Sequence, residues 1–273
     1  MRIALVTGGM GGIGTAICKR FAETGMTVIA NCLPAYPRKE AWLAKMAADG
    51  YRTVQAAEFD VTDLVACRDV IGAHTKEIGP IDVLVNGAGI TRDATFRKLG
   101  AEDWHAVINS NLNSLFNVTK QVIDGMSERG WGRIISLSSV NGTRGQFGQT
   151  NYSAAKAGAA GFSKALAQEV VRKGITVNCV SPGYVDTDMV RAIRTEVRQS
   201  IIDGIPMGRL ASVEEIAALV AFLASDEAGY ITGANIPIMV ACTCMANRCD
   251  PQSVCARHSI RYWMRIMVQR ITR

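Results

Sequence analysis

The stretch Ile3-Ala-Leu-Val-Thr7-Gly-Gly-Met-Gly-Gly-Ile-Gly14 decides the fold of this chain of 273 residues. Its first apolar residues predict a buried strand, and the glycine-rich turn runs into an amphipathic segment that predicts a helix. Glycines at positions 8, 12 and 14 let backbone N–H groups approach a pyrophosphate, which rests at the positive N-terminus of the helix. A glycine run alone is often only a turn. The strand before it and the helix after it favour a dinucleotide site.

The rest of the chain alternates short apolar runs with longer amphipathic ones. Strands are predicted at 3–6, 27–30, 53–58, 81–86, 132–137 and 176–181, and helices at 14–24, 38–49, 63–78, 101–127, 152–172 and 213–224. Strands that alternate with helices indicate βαβ units and a parallel sheet with helices on both faces. We therefore predict a Rossmann-type α/β fold, a doubly wound parallel sheet that forms a single domain over residues 1–238.

The residues that follow the predicted strands indicate which dinucleotide binds. The second strand ends Ala30-Asn31-Cys32, without the acidic residue that accepts a hydrogen bond from the ribose 2′-hydroxyl of NAD. Arg38 and Lys39 follow, and a guanidinium suits a 2′-phosphate, although both side chains also fit a solvated helix start. We therefore expect NADPH rather than NADH. Asp60 is expected to meet the adenine amino group, and Gly87-Ala-Gly89 to let the backbone pass close to adenosine unless it is only a tight turn.

Tyr152 and Lys156 carry the chemistry that we expect. They lie in Asn151-Tyr-Ser-Ala-Ala-Lys156, four residues apart on one face of a predicted helix. A tyrosine titrates near pH ~10, and an adjacent ammonium favours the phenolate and lowers the pKa of the phenol. The pair therefore predicts a tyrosine that donates a proton near neutral pH, whereas most such pairs in proteins lie on an exposed helix face.

Composition excludes several classes of function. Hydrophobic residues make up 48% of the chain and charged residues 20%, which is typical of a soluble globular protein. No apolar stretch is long enough to span a membrane and no signal peptide precedes the first strand, so we expect a cytoplasmic protein. Residues 239–273 carry +5 of the net charge of +6, because they contain six Arg and one acidic residue, Asp250. The rest of the chain is almost neutral and does not predict nucleic-acid binding.

Six motifs occur in order along residues 1–238: Thr7-Gly8-x3-Gly12-x-Gly14, Asn86-Gly-Ala-Gly89, Asn111, Ser138-Ser139, Tyr152-x3-Lys156 and Ser181-Pro-Gly183. In kind and spacing they resemble the short-chain dehydrogenase/reductase family. One departure is Gly87, where the family often has a second Asn.

The resemblance implies a catalytic set of Asn111, Ser139, Tyr152 and Lys156 for hydride transfer to a ketone. Tyr152 is implied as the general acid, and Lys156 as the residue that lowers its pKa and holds the nicotinamide ribose. Ser139 is implied as the partner of the substrate carbonyl, and strand alternation turns Ser138 the other way. Asn111 is implied as the holder of a water that relays protons, and it is otherwise an ordinary polar helix residue.

A closer resemblance rests on segments 89–93, 114–126, 130–133, 138–142 and 145–152. They resemble bacterial members that reduce acetoacetyl-CoA with NADPH to (R)-3-hydroxybutanoyl-CoA for polyhydroxybutyrate synthesis. The resemblance implies this activity, a CoA thioester as substrate and a homotetramer. Two alternatives stay open: a 3-oxoacyl-acyl-carrier-protein reductase of fatty acid synthesis, and a non-catalytic nucleotide-binding scaffold with the same fold.

The same resemblance implies the remaining site residues. For the cofactor, besides Tyr152 and Lys156, these are Gly8, Met10, Gly11, Gly12, Ile13, Gly14, Arg38, Asp60, Val61, Gly87, Ala88, Gly89, Ile90, Pro182, Gly183, Val185 and Thr187. For the substrate they are Asp93, Gln146, Phe147, Gln149, Tyr184 and Arg194, each of which also fits an ordinary surface position. The charged segment 186–210 is expected to be a mobile lid.

Residues 239–273 depart from the family pattern. After Thr232-Gly-Ala-Asn-Ile-Pro-Ile238 the chain reads Met239-Val-Ala-Cys-Thr-Cys244, but its codons shifted by one base permit Asn-Gly-Gly-Leu-Tyr-Met. We interpret this tail as the product of a one-base deletion, which also explains its many Arg and absent Lys. One alternative is a zinc site of Cys242, Cys244, Cys249, Cys255 and His258, whose spacing is not that of a familiar zinc finger. Another is a basic amphipathic helix over 260–273. We expect no bound metal.

Overall fold

Seven parallel strands form one sheet in the computed structural model, which describes residues 1–239. The strands are β1 (Ile3–Thr7), β2 (Thr27–Cys32), β3 (Val54–Glu58), β4 (Val83–Asn86), β5 (Gly132–Leu137), β6 (Ile175–Pro182) and β7 (Asn235–Ile238). Across the sheet they lie in the order β3-β2-β1-β4-β5-β6-β7. The predicted α/β fold with a doubly wound parallel sheet is confirmed.

Helices connect the strands. Within the described residues they are α1 (Gly12–Glu23), α2 (Lys39–Ala48), α3 (Leu64–Ile78), α4 (Ala101–Ile108), α5 (Ser114–Thr119), α6 (Ile123–Arg129), α7 (Asn141–Arg144), α8 (Thr150–Val170), α9 (Asp188–Arg191), α10 (Thr195–Asp203) and α11 (Val213–Ala224). A π-helical turn at Asn109–Asn113 joins α4 to α5, and a 3₁₀ turn at Val171–Lys173 follows α8.

Two apolar layers lie on opposite faces of the sheet. Val6 of β1 packs in the layer that contains Phe21 of α1 and Leu223 of α11. Its neighbour Leu5 packs in the other layer with Ile71 of α3, because successive side chains of a strand point to opposite faces. Both faces of the central strands are therefore covered, which explains why these strands read as continuous apolar runs.

The order of the strands reverses at β1. Strands β2 and β3 lie on one side of it, and β4 to β7 on the other. Thr7 and Asn86 are register partners, so β1 and β4 end at the same level of the sheet. Ligands of open parallel sheets bind in the crevice beyond the carboxyl ends of the strands at such a reversal. The glycine turn and the segment after β4 both border this crevice.

The single long helix predicted at 101–127 is wrong. The structure divides this stretch into α4, the π-helical turn Asn109–Asn113, α5 and α6, with a break at 120–122. Asparagine side chains compete with helical hydrogen bonds, and the π turn contains three of them. Apolar periodicity does not detect one extra residue in a helical turn, and π turns often occur at functional sites.

The tail was interpreted from residues 239–273, and those from 240 onward lie outside the described part of the chain. The deletion, the zinc site and the amphipathic helix therefore all stay predictions. Among residues 1–239, no group of His, Cys, Asp and Glu side chains is arranged to hold a metal ion. No helix in this same range is long and apolar enough to cross a membrane.

Candidate active site

The glycine turn, Gly8–Gly14, leaves no room for a side chain at positions 8, 9 and 14. Gly8 has a φ of +65°, in the left-handed region that favours glycine, and a Cβ on it would lie 3.0 Å from the Cα of Ala88. A Cβ on Gly14 would overlap the carbonyl oxygen of Gly8 and lie 2.8 Å from the Cα of Gly9. No side chain of the described residues caps the start of α1, so its first N–H groups are available to an anion. The turn therefore fits a dinucleotide pyrophosphate.

Two polar side chains hold the loops around the glycine turn, and neither role was predicted from the sequence. The Thr7 hydroxyl accepts a hydrogen bond from the N–H of Gly87 at 3.0 Å, which joins the loops after β1 and β4. The Asn31 side chain accepts from the N–H of Gly8 at 3.2 Å and donates to the carbonyl of Phe59 at 2.8 Å. Their position at the ends of β1 and β2 is the sequence signal for this role.

A cavity of about 480 Å³, here called the central cavity, extends from the glycine turn to Tyr152 and Lys156. Most of the other residues predicted to bind the cofactor line it: Gly8, Met10, Gly11, Gly12, Ile13, Gly14, Arg38, Gly87, Gly89, Ile90, Pro182, Gly183, Val185 and Thr187. Asp60, Val61 and Ala88 are not among the lining residues. The Asp60 carboxylate instead accepts hydrogen bonds from the backbone N–H and the hydroxyl of Thr62, both at 2.8 Å.

The two cations that were predicted to recognise a 2′-phosphate have different surroundings. Arg38 lines the central cavity, and its guanidinium carbon lies 5.5 Å from the centre of the Tyr36 ring. The Lys39 ammonium pairs with Glu58 and, at 3.1 Å, with Glu40. Hydrogen bonds to these two carboxylates raise the pKa of Lys39. Arg38 therefore faces the cavity, whereas Lys39 is paired with Glu40 and Glu58.

Tyr152 and Lys156 lie one turn apart on α8, and both line the central cavity. The buried Lys156 ammonium donates to the carbonyl of Leu137 at 2.7 Å. The side chain of Ser139 hydrogen-bonds to Tyr152, whereas the hydroxyl of Ser138 donates to the backbone carbonyl of Lys156 at 2.7 Å. The structure thus places Ser139, rather than Ser138, beside the tyrosine.

Asn111 reaches the same end of the cavity from the π-helical turn. Its amide nitrogen donates to the carbonyls of Ile90 and Val107, both at 2.9 Å. Its Oδ1 atom is buried and accepts no hydrogen bond from the described residues. A Cβ on Gly89 would overlap this oxygen and lie 3.6 Å from the Lys156 ammonium. Because buried acceptors are normally satisfied, this oxygen fits a water or a sugar hydroxyl as its donor.

Burial moves the pKa values of the tyrosine and the lysine in opposite directions. Burial raises the pKa of Tyr152, the hydrogen bond to Ser139 opposes this shift, and the charge of Asp93 adds to it. Burial lowers the pKa of Lys156 to about 8. The net shift of the Tyr152 pKa is therefore upward, opposite to the lowering that the spacing to Lys156 predicted. The ammonium binds the Leu137 carbonyl and lies 5.6 Å from the centre of the Tyr152 ring, so loss of water dominates.

Two of the predicted substrate residues, Gln149 and Tyr184, line the central cavity. The Gln149 amide nitrogen donates to the Asp93 carboxylate at 2.8 Å, and its oxygen accepts from the Asn141 amide at 3.0 Å. The Gln149 side chain is therefore held from both ends, by Asp93 and by Asn141.

The other predicted substrate residues lie apart from the central cavity. Gln146 accepts a hydrogen bond from Arg144 at 3.2 Å, and Phe147 is 87% exposed. Arg194 is exposed at the start of α10 and lines neither the central cavity nor the second cavity beside it. The second cavity has a volume of about 400 Å³ and is lined by Val140, Arg144, Gly183, Tyr184, Ile205, Met207, Arg209, Ala211, Glu215, Ile238 and Met239.

The segment predicted to be a lid, residues 186–210, contains the short helices α9 and α10. Asp186 and Arg191 form a bidentate ion pair at 2.8 and 2.9 Å at its start. Thr187 lies against the glycine turn, because a Cβ on Gly12 would be 3.2 Å from its methyl group. The segment therefore borders both the central cavity and the second cavity, and its mobility stays a prediction.

Comparison with known proteins agrees with this geometry. The family model for short chain dehydrogenases matches residues 2–198. The chain is similar to acetoacetyl-CoA reductases of Cupriavidus necator, with 57% identity over 237 residues, and of Allochromatium vinosum, with 59% over 238; each alignment covers 87% of this chain and 96% of the relative. The 3-oxoacyl-[acyl-carrier-protein] reductase of Escherichia coli K12 is 44% identical over 237 residues, covering 87% of this chain and 95% of that protein. The chain therefore belongs to the short-chain dehydrogenase family.

Proposed function

We propose that this chain is an NADPH-dependent reductase that converts acetoacetyl-CoA to (R)-3-hydroxybutanoyl-CoA, the monomer precursor for polyhydroxybutyrate. One observation carries the proposal. Tyr152, Ser139, Lys156 and Asn111 meet at one end of a cavity whose other end is a glycine turn shaped for a pyrophosphate. The names of relatives at 57% and 59% identity support acetoacetyl-CoA as the substrate.

When it is bound, NADPH supplies the hydride, and the protein residues manage the proton and the developing charge. Tyr152 keeps its proton near neutral pH because burial raises its pKa, and it releases the proton to the oxyanion, a stronger base than a phenolate. The Ser139 hydroxyl donates a hydrogen bond to the substrate carbonyl. The Lys156 ammonium stabilises the phenolate that remains, and the Asn111 carbonyl group holds the relay water.

Arg38 supports NADPH over NADH as the cofactor. Arg38 lines the central cavity, whereas the neighbouring cation, Lys39, is paired with glutamates. In addition, β2 ends without an acidic residue. A guanidinium pairs with a phosphate through two parallel hydrogen bonds, whereas a ribose hydroxyl needs an acceptor.

Two alternatives fit less well. The carrier-protein reductase of Escherichia coli shares less of the sequence, 44% against 57% and 59% for the two acetoacetyl-CoA reductases. A non-catalytic scaffold does not explain why the fold buries the Lys156 ammonium and leaves the Asn111 oxygen without a donor among residues 1–239. Both features cost folding free energy, and such features concentrate at catalytic sites.

The proposal is tested by comparing thioester substrates at one NADPH concentration. We expect kcat/KM for acetoacetyl-CoA to exceed that for acetoacetyl-acyl-carrier protein by about tenfold or more, which corresponds to a difference of about 1.4 kcal/mol in transition-state binding. The opposite preference would favour the fatty acid reductase. NADPH binding without turnover of either thioester would favour the scaffold.

Reduction is expected to slow as the pH rises through about 8. Tyr152 stays protonated in this range because its pKa is raised, whereas the pKa of Lys156 is lowered to about 8, so its charge is present below and lost above this value. A profile of kcat/KM should therefore be flat below neutrality and fall by about tenfold per unit at high pH. The variant Lys156→Arg, which stays charged, should move the fall to higher pH. A wild-type profile that stays flat to high pH would contradict this assignment.

We also propose that the protein is a cytoplasmic homotetramer, unless the altered C-terminus prevents assembly. Leu64 and Val65 on α3 and Phe116 on α5 are exposed, and the two helices pack against each other. Contiguous exposed apolar side chains typically mark surfaces that bind another chain.

A further inference from the structure

A strained turn precedes Arg38. Ala35 has a φ of +54°, the only positive φ of a non-glycine residue in the described structure. The N–H of Tyr36 donates to the carbonyl of Leu33 at 3.2 Å, so Leu33-Pro-Ala-Tyr36 forms a turn with proline at its second position and a positive φ at its third. Turns of this type normally have glycine at the third position. Ala35 is held in this conformation only because neighbouring groups fix it.

Glu58 fixes the turn. Its Oε2 atom accepts a hydrogen bond from the N–H of Ala35 at 2.9 Å, and its Oε1 atom accepts one from the Lys39 ammonium. Glu58 is the last residue of β3 and is the register partner of Cys32 at the end of β2. One carboxylate therefore joins the edge of the sheet to both ends of the segment 35–39.

Arg38 lies between these two fixed points. Its carbonyl accepts from the N–H of Trp42 at 2.9 Å in the first turn of α2, and its side chain lies over Tyr36 and lines the central cavity. The backbone of Arg38 therefore depends on Ala35 before it and Lys39 after it. Lys39 also neutralises Glu58, so the carboxylate anchors the segment without leaving an unpaired negative charge near a phosphate site.

We propose that Glu58 is a positioning residue for the 2′-phosphate of NADPH, which holds the segment 33–39 so that Arg38 faces the cavity. The inference rests on the NADPH preference proposed above. It adds that selectivity between NADPH and NADH depends on a residue of β3 that does not line the central cavity.

The test is a fluorescence titration of the full chain with NADPH and, separately, with NADH, which requires no turnover. Glu58→Ala removes both hydrogen bonds and should raise the Kd for NADPH by about tenfold while the Kd for NADH changes by less than about twofold. Glu58→Gln keeps one acceptor oxygen and should raise the Kd for NADPH by about threefold. Glu40→Ala is the matched control, because it removes the other carboxylate on Lys39 but leaves the Ala35 turn intact; both Kd values should stay at their wild-type levels.

A second variant separates the turn from the charge. Ala35→Gly adopts a positive φ without strain, so adding it to Glu58→Ala should restore part of the lost NADPH affinity. Glu58→Ala with an unchanged ratio of the two Kd values overturns the proposal. Tighter NADPH binding in Glu58→Gln also overturns it, because Glu58 would then affect the cofactor only through its negative charge. If Glu58→Ala does not fold, Glu58→Gln decides the question. A wild-type chain that binds NADH as tightly as NADPH overturns the proposed cofactor and this inference with it.

Discussion

Tyr152→Phe is expected to lower kcat for the reduction of acetoacetyl-CoA by a factor of about 10²–10⁴, the usual contribution of a positioned general acid. The substitution removes only the hydroxyl, which hydrogen-bonds to Ser139, and leaves the ring, whose centre lies 5.6 Å from the Lys156 ammonium. Without this proton source, the oxyanion that hydride transfer generates must take its proton from water. The measurement is steady-state oxidation of NADPH with acetoacetyl-CoA.

A loss of activity in Tyr152→Phe is informative only if the fold and the cofactor site survive. The Kd for NADPH should therefore stay within about twofold of the wild-type value, since the phenol contributes little to binding compared with the glycine turn. Tyr51→Phe is the matched control, because Tyr51 donates to Glu23 at 2.9 Å and does not line the central cavity. Its kcat should equal that of the wild type. If Tyr152→Phe retains more than about a tenth of the wild-type kcat, another group supplies the proton.

The fold was predictable because its signals are local and repeated. Each strand is a short apolar run covered on both faces, as Leu5 and Val6 illustrate by packing into opposite layers. Each motif of the site lies at the end of a strand or on the helix that follows. In a parallel sheet all these ends lie at one edge, so order along the chain is enough to predict that the glycine turn and Tyr152 share a cleft.

What the sequence did not reveal depends on contacts between distant residues. Asn31 and Glu58 belong to no motif, and the motif that begins at Thr7 does not show what its hydroxyl does. Each of the three side chains accepts a hydrogen bond from a backbone N–H of another segment, at Gly8, Ala35 and Gly87 respectively.

The direction of the Tyr152 pKa shift was also missed. Sequence spacing shows that Lys156 is near, but the shift depends on how completely water is excluded and on the bond that the ammonium makes to Leu137. Neither quantity is encoded in a four-residue spacing.

Gly14→Ala, a substitution in the glycine turn, is expected to abolish measurable NADPH binding. The Kd for NADPH should rise by about a hundredfold or more. The new Cβ would overlap the carbonyl oxygen of Gly8 and lie 2.8 Å from the Cα of Gly9. Both are backbone atoms, so no side chain can rotate away and the turn itself must open. An opened turn no longer directs its N–H groups at one pyrophosphate. Overpacking of this kind also lowers the free energy of unfolding by about 1–3 kcal/mol.

Two other helical glycines serve as controls because the same substitution should have the opposite sign there. A Cβ on Gly72 of α3 or on Gly161 of α8 meets no atom of the described residues within 4 Å. Alanine should raise the free energy of unfolding by about 0.4–1 kcal/mol at each position, because glycine loses more backbone entropy on folding. NADPH titration and urea denaturation of the three variants measure both effects. If Gly14→Ala binds NADPH as tightly as Gly72→Ala does, the close packing of the turn is not what creates the pyrophosphate site.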